Sequence, residues 1–118
     1  MKSGIAALAL TVVFGAAFTT AQAQNYPSRP VRVIMSSSAG GTSDIFMRVM
    51  ADELQKRMGQ PFILENRPGG SFNIGARACA EAAPDGYTVC MMSAEPVAFN
   101  QYLFKTLPFD PTAFVPIT

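Results

Sequence analysis

From Val31 to Met58 a strand-like run, a glycine pair and a helix follow one another directly, which narrows the folds open to the chain. Val31-Arg32-Val33-Ile34-Met35 has the length and β-branched content of a buried strand. Ser36-Ser37-Ser38-Ala39-Gly40-Gly41-Thr42-Ser43-Asp44 comes next, and Ile45 to Met58 reads as an amphipathic helix. Paired glycines at such a junction let the backbone approach a ligand closely, because no Cβ obstructs it. The helix start leaves unpaired N–H groups and a partial positive charge facing the same space. That combination suits a carboxylate or a phosphate, and the flanking hydroxyls add donors. The same residues also make a plain β–α turn with Thr42 or Ser43 as N-cap, and the motif alone leaves both readings open.

The rest of the chain repeats the pattern. Tyr26-Pro27-Ser28-Arg29-Pro30 is an extended lead-in, since each proline restricts its predecessor. In the first helix Ile45, Val49, Met50, Leu54 and Met58 make one apolar face. Arg48, Asp52, Glu53, Lys56 and Arg57 read as a solvated face, and Gly59 and Pro61 end the helix. Phe62-Ile63-Leu64 is a short second strand, and Glu65 to Asn73 a loop with Gly69 and Gly70. The alanine-rich segment Ile74 to Ala83 is a second helix, closed by the turn Pro84-Asp85-Gly86. Tyr87 to Met92 is a third strand, covered on both faces, and Pro96 opens a third helix reaching about Leu103. Phe114 to Thr118 reads as the start of a further strand.

This alternation predicts an α/β fold with a parallel, doubly wound sheet and right-handed crossovers. If the first strand lies between the second and third, the chain reverses direction across the sheet there. Ligands bind at such a switch point, beyond the carboxyl ends of the strands. The loops of Ser36–Ser43, Asn66–Asn73 and Ser93–Glu95 then share one rim.

Composition excludes several chemistries. The net charge of +1 gives no electrostatic case for nucleic acid as a partner. With no histidine among 118 residues, Ser-His and Cys-His nucleophilic sites and the usual zinc sites are absent. Cys79 and Cys90 lack CxxC spacing, so no metal site and no cofactor is expected. They read as two buried free thiols, although an oxidising compartment would allow a disulfide. At the amino terminus Lys2, the apolar run Ile5 to Phe18 and Ala21-Gln22-Ala23 match a secretory signal peptide over residues 1–23. The run is shorter than the roughly 20 residues a membrane-spanning helix needs. The mature chain, 24–118, is then expected in the periplasm.

Tyr26-Pro-Ser-Arg-Pro-Val-Arg32, Gly40-Gly41 with Asp44, Gly59-Gln60-Pro61, Glu65-Asn-Arg-Pro-Gly-Gly70, Asn73-Ile-Gly-Ala76, Ala83-Pro-Asp-Gly-Tyr-Thr88 and Leu107-Pro-Phe-Asp-Pro111 resemble the Bug family. These are the periplasmic solute receptors of tripartite tricarboxylate transporters. The resemblance implies a two-lobed binding protein that captures a small carboxylate and passes it to a membrane permease, with no catalysis and no cofactor. It implies that 24–118 is the amino-terminal part of the first lobe, with the second lobe absent. Main-chain N–H groups of the first loop would hold a carboxylate. The ligand-binding candidates are Ser37, Ser38, Ala39, Gly40, Gly41, Thr42, Asp44, Gly69, Gly70, Ser93 and Glu95.

Departures from the family pattern bear on the ligand. Ser36, Ser37 and Ala39 stand where relatives usually place proline, an aromatic and proline, which makes this loop looser and more polar. Phe72 stands where a small residue is usual and would fill space in the cleft. Glu95 would repel a dicarboxylate and favour an amino-acid-like ligand, unless it points to solvent and caps its own helix. A chain this short is expected to bind weakly alone, and a remnant without function is the alternative. An enzyme binding phosphate at Gly40-Gly41 is disfavoured, because the loop has neither the P-loop ending nor a GxGxxG pattern.

Overall fold

A computed structural model describes residues 25–117; the segment read as a signal peptide lies outside the described residues. Three strands, β1 (Val31–Met35), β2 (Phe62–Asn66) and β3 (Thr88–Met91), form one parallel sheet in the order β2-β1-β3. Helix α1 (Thr42–Met58) crosses from β1 to β2, and α2 (Asn73–Ala80) lies between β2 and β3 in the chain. A π-helical turn, Glu95–Phe99, runs into the short α3 (Asn100–Leu103). The expected doubly wound parallel arrangement is present, with β1 at its centre.

Alternation along β1 decides what covers each face. Val33 and Met35 point to the α1 side, where Met47 joins them and Leu54, Phe62, Leu64, Val89 and Met91 pack around. Burying side chains of this size stabilises by about 1.5–3 kcal/mol each. Ile34 faces the other way and is buried with Ala76 of α2, which lies against β1 and β3. Gly59 ends α1 in the left-handed conformation, with its N–H bonded to Gln55 O at 2.9 Å.

Several expectations need correction. The sheet does not take the Ile45 face of α1. Met47 and Ala51 meet it, with Leu54 of the expected face, whereas Ile45, Val49 and Met50 are exposed. The helix carries two apolar stripes, and only packing selects between them. It also begins three residues early, with Gly41 rather than Thr42 or Ser43 at the N-cap and no side-chain cap. Strand β2 continues through Glu65 and Asn66, because pairing with Ile34 and Met35 extends it beyond its apolar part. Helix α2 stops at Ala80, short of Ala83, and β3 is shorter than Tyr87–Met92. Val115 and Ile117, expected in a strand, are exposed and pair with nothing among the described residues; a 3-10 turn, Pro111–Ala113, precedes them.

Cys79 and Cys90 are not free thiols but a disulfide, joining α2 to β3 with their Cα atoms 6.2 Å apart. Packing α2 on β3 brings the two into bonding range. At the opposite end of the strands from the glycine loop, Tyr26 and Arg29 fasten the lead-in to the turn before β3. Tyr26 donates to Gly86 O at 2.5 Å, and Arg29 pairs with Asp85 at 2.8 Å while lying over the Tyr87 ring. Among the described residues no helix is long and apolar enough to cross a membrane.

Candidate functional site

Parallel pairing in the order β2-β1-β3 brings the carboxyl ends of all three strands to one rim. Ser36 anchors the first loop there, its N–H donating to Met91 O at 3.3 Å across to β3. The chain then turns through Gly40, whose φ of +80° is a backbone conformation that side chains with a Cβ rarely adopt. Gly41 is extended, and α1 starts immediately after it.

The first loop is braced from within. Asp44, in the first turn of α1, is buried, and its carboxylate accepts four hydrogen bonds. Arg48 donates twice, from Nε at 2.9 Å and from its terminal nitrogen at 3.2 Å. Gly40 N–H donates at 2.9 Å and the Asn66 amide at 2.9 Å. Arg48 first, then Gly40 and Asn66, hold the carboxyl down to about 2, so it is ionised at any ordinary pH. The same Asn66 amide also donates to Ser37 O at 3.2 Å, tying the end of β2 to the first loop. Asp44 and Gly40, both expected as ligand contacts, are joined to each other by one of these bonds.

Other groups in the loop remain available. Among the described residues, the N–H groups of Ser38, Ala39, Thr42 and Ser43 have no main-chain acceptor, and Gly41 N–H makes only a 3.4 Å contact to Ser38 O. Ser37 Oγ pairs with Ser43 Oγ at 2.8 Å, and Ser36 Oγ reaches Met91 O at 3.5 Å. The Ser36, Ser37 and Ser43 hydroxyls thus face other oxygens rather than a general base.

A cavity of about 200 Å³ opens beside this loop, lined by Ser36, Ser37, Ser38, Pro68, Gly69, Ser71 and Phe72. Of the residues expected from sequence, Ser37, Ser38 and Gly69 line it. Ala39, Gly40, Gly41, Thr42, Asp44, Gly70, Ser93 and Glu95 do not. Gly70 belongs to the same turn, and its carbonyl accepts from Asn73 N–H at 3.1 Å. Ser93 and Glu95 follow β3 on the same rim. Ser93 Oγ is buried and meets hydrogen-bond geometry with no partner. It still lies near enough to be the main influence holding the Glu95 carboxyl below its usual range, with Glu95's own N–H second.

Sequence reading missed the residues that hold the rim together. Asn66 reads as loop but ends β2, and Arg48, on the solvated face as expected, reaches back to Asp44. The i to i+4 spacing of Asp44 and Arg48 was the available signal for their pairing. Asn100, almost wholly buried, donates to Ser71 O at 2.8 Å and to Asn73 Oδ1 at 2.7 Å, and no local signal marks it.

Residues 46–117 match the sequence model of the tripartite tricarboxylate transporter family receptor. The chain belongs to this family of solute-binding receptors. A UPF0065 protein of Bordetella bronchiseptica is 35% identical over 115 residues, covering 90% of this chain and 34% of the relative. Protein BugT of Bordetella pertussis is 39% identical over 88 residues, covering 74% of this chain and 27% of the relative. Among solved structures, Rpa4515 of R. palustris with adipate has a TM-score of 0.69 at 34% identity, covering 74% of this chain and 29% of that one. MatC from Rhodopseudomonas palustris with bound malate has a TM-score of 0.60 at 32% identity, covering 73% and 29%. This family member spans about a third of the length of the curated relatives it matches.

Proposed function

We propose that the chain contributes the carboxylate-binding rim of a periplasmic receptor, capturing a small organic acid for delivery to a membrane permease. One observation carries the reading: at the exit of the central strand, a loop braced by Asp44 and Asn66 leaves several main-chain N–H groups unengaged beside a cavity. Unpaired N–H groups at a helix start favour an oxyanion. Ser38, Ala39, Gly41 and Thr42 would donate to it, with Ser37 and Gly69 bordering the ligand. Asp44 and Gly40 would act by holding the loop in shape. Gly70, Ser93 and Glu95 would shape the rim.

Hydrogen bonds to a charged group are worth about 1.5–3 kcal/mol each. Three of them on one open face support weak capture, and tighter binding needs a second wall that excludes water. The role is non-catalytic: the loop's hydroxyls stand beside other oxygens, and a bound acid would meet donors alone. Delivery to a permease and a periplasmic location follow the receptor family and the signal-like segment 1–23.

Titration of the ¹⁵N-labelled chain with adipate and with malate tests this. Amide shifts confined to Ser36–Ser43 and Gly69–Phe72 are expected. No shift in the first loop at high millimolar acid would refute it.

A further inference from the structure

We propose that Phe72 sets the ligand class of this rim. The site takes a monocarboxylate with a flat, uncharged body, an aromatic acid, whose ring packs on Phe72 while its carboxylate meets the free N–H groups of the first loop from Ser38 onward. The inference rests on the carboxylate-binding reading above.

Three observations carry it. First, the cavity is lined by hydroxyls from Ser36, Ser37, Ser38 and Ser71 and by the apolar surfaces of Pro68 and Phe72, and no charged side chain lines it. Arg48, behind the loop, pairs with Asp44, and Arg67, next to Pro68, pairs with Glu65. A second carboxylate would find no counter-charge here, and burying an unpaired charge is costly. Dicarboxylates are therefore the poorer match to this face.

Second, Phe72 occupies a conformation that large side chains avoid. Its φ is +68°, following Ser71 at +52° and two glycines that also have positive φ. Backbone strain of this kind in a bulky residue is rare, and it persists only where the surroundings enforce it. Third, the enforcement is visible. Asn100 bonds Ser71 O and Asn73 Oδ1, Asn73 N–H bonds Gly70 O, and Ala76 N–H closes α2 onto Phe72 O at 3.1 Å. The turn cannot relax without breaking these bonds, so the half-buried ring is kept at the cavity. An aromatic ring so presented favours offset or edge-to-face contact with another ring.

Amide-shift titrations of the ¹⁵N-labelled chain with benzoate, acetate and malate test this, for the wild type, Phe72→Gly and Phe72→Tyr. Benzoate should shift Ser36–Ser43 and Gly69–Phe72 and bind about threefold to tenfold tighter than acetate. Phe72→Gly should abolish that difference, and Phe72→Tyr should keep it. Glycine accepts the φ of this position, so the variant should fold; Phe72→Asn replaces it if its spectrum is not native. Equal affinity for benzoate and acetate, tighter binding of malate, or a difference that survives loss of the ring would overturn the inference alone. Absence of any shift in Ser36–Thr42 with all three acids would overturn the carboxylate reading and this one together.

Discussion

Replacing Gly75 by alanine probes how closely α2 must approach the end of β1. Gly75 is the third residue of α2, and a Cβ built there would lie 2.6 Å from Ser36 Cα, 2.8 Å from Ser36 Cβ and 3.0 Å from Arg67 O. Carbon atoms pack best at about 3.5–4.0 Å, so the overlap with Ser36 is roughly an ångström. Two of the three atoms are main chain, and Ser36 is tied to Met91 O on β3. The helix must therefore back away from the sheet. Overpacking costs about 1–3 kcal/mol, and sometimes more. Alanine returns at most about 1 kcal/mol through helix propensity. A net loss of about 1–2 kcal/mol remains, which lowers Tm by about 4–16 °C for a domain of this size. Thermal unfolding followed by far-UV circular dichroism measures it. The decisive contrast is in sign. If the glycine merely sat in an exposed helix, alanine would raise Tm. A Tm equal to or above the wild type would refute the close approach of α2 to Ser36.

Three further outcomes follow from the same geometry. Reduction of the Cys79–Cys90 disulfide, which closes a loop with a sequence separation of 11, should cost about 2–3 kcal/mol, read as a lower denaturant midpoint in reductant. The Asp44 carboxyl titrates at about 2 in the folded chain against 3.8 when unperturbed. Its stabilising contribution should be complete above pH 4 and disappear as pH falls from about 4 towards 2, and Asp44→Asn should flatten that limb of the pH–stability profile. The Gly40 amide shift should titrate over the same range. Asn100→Ala leaves Ser71 O and Asn73 Oδ1 without their donor, and should cost about 1–3 kcal/mol with faster hydrogen exchange across Gly70–Asn73.

What the sequence by itself determined is the part governed by local chemistry. β-branched runs specified β1 and β3, Gly59 and Pro61 stopped α1, and the Gly40-Gly41 pair placed a tight turn at the exit of the first strand. Strand–helix alternation then left few topologies, the one observed, with β1 in the middle, among them.

Tertiary structure decided the rest, because the relevant energies arise between segments far apart in the chain. The two apolar stripes of α1 are comparable in sequence, and only contact with Met35 and Leu64 selects Met47 and Ala51 over Ile45 and Val49. Asn66 and Asn100 look like ordinary polar residues until folding buries them or sets them beside carbonyls about 30 positions away. The same holds for Asp44. A carboxylate beside a glycine loop reads as a ligand contact, and only folding surrounds it with Arg48, Gly40 and Asn66, partners that no local pattern assembles.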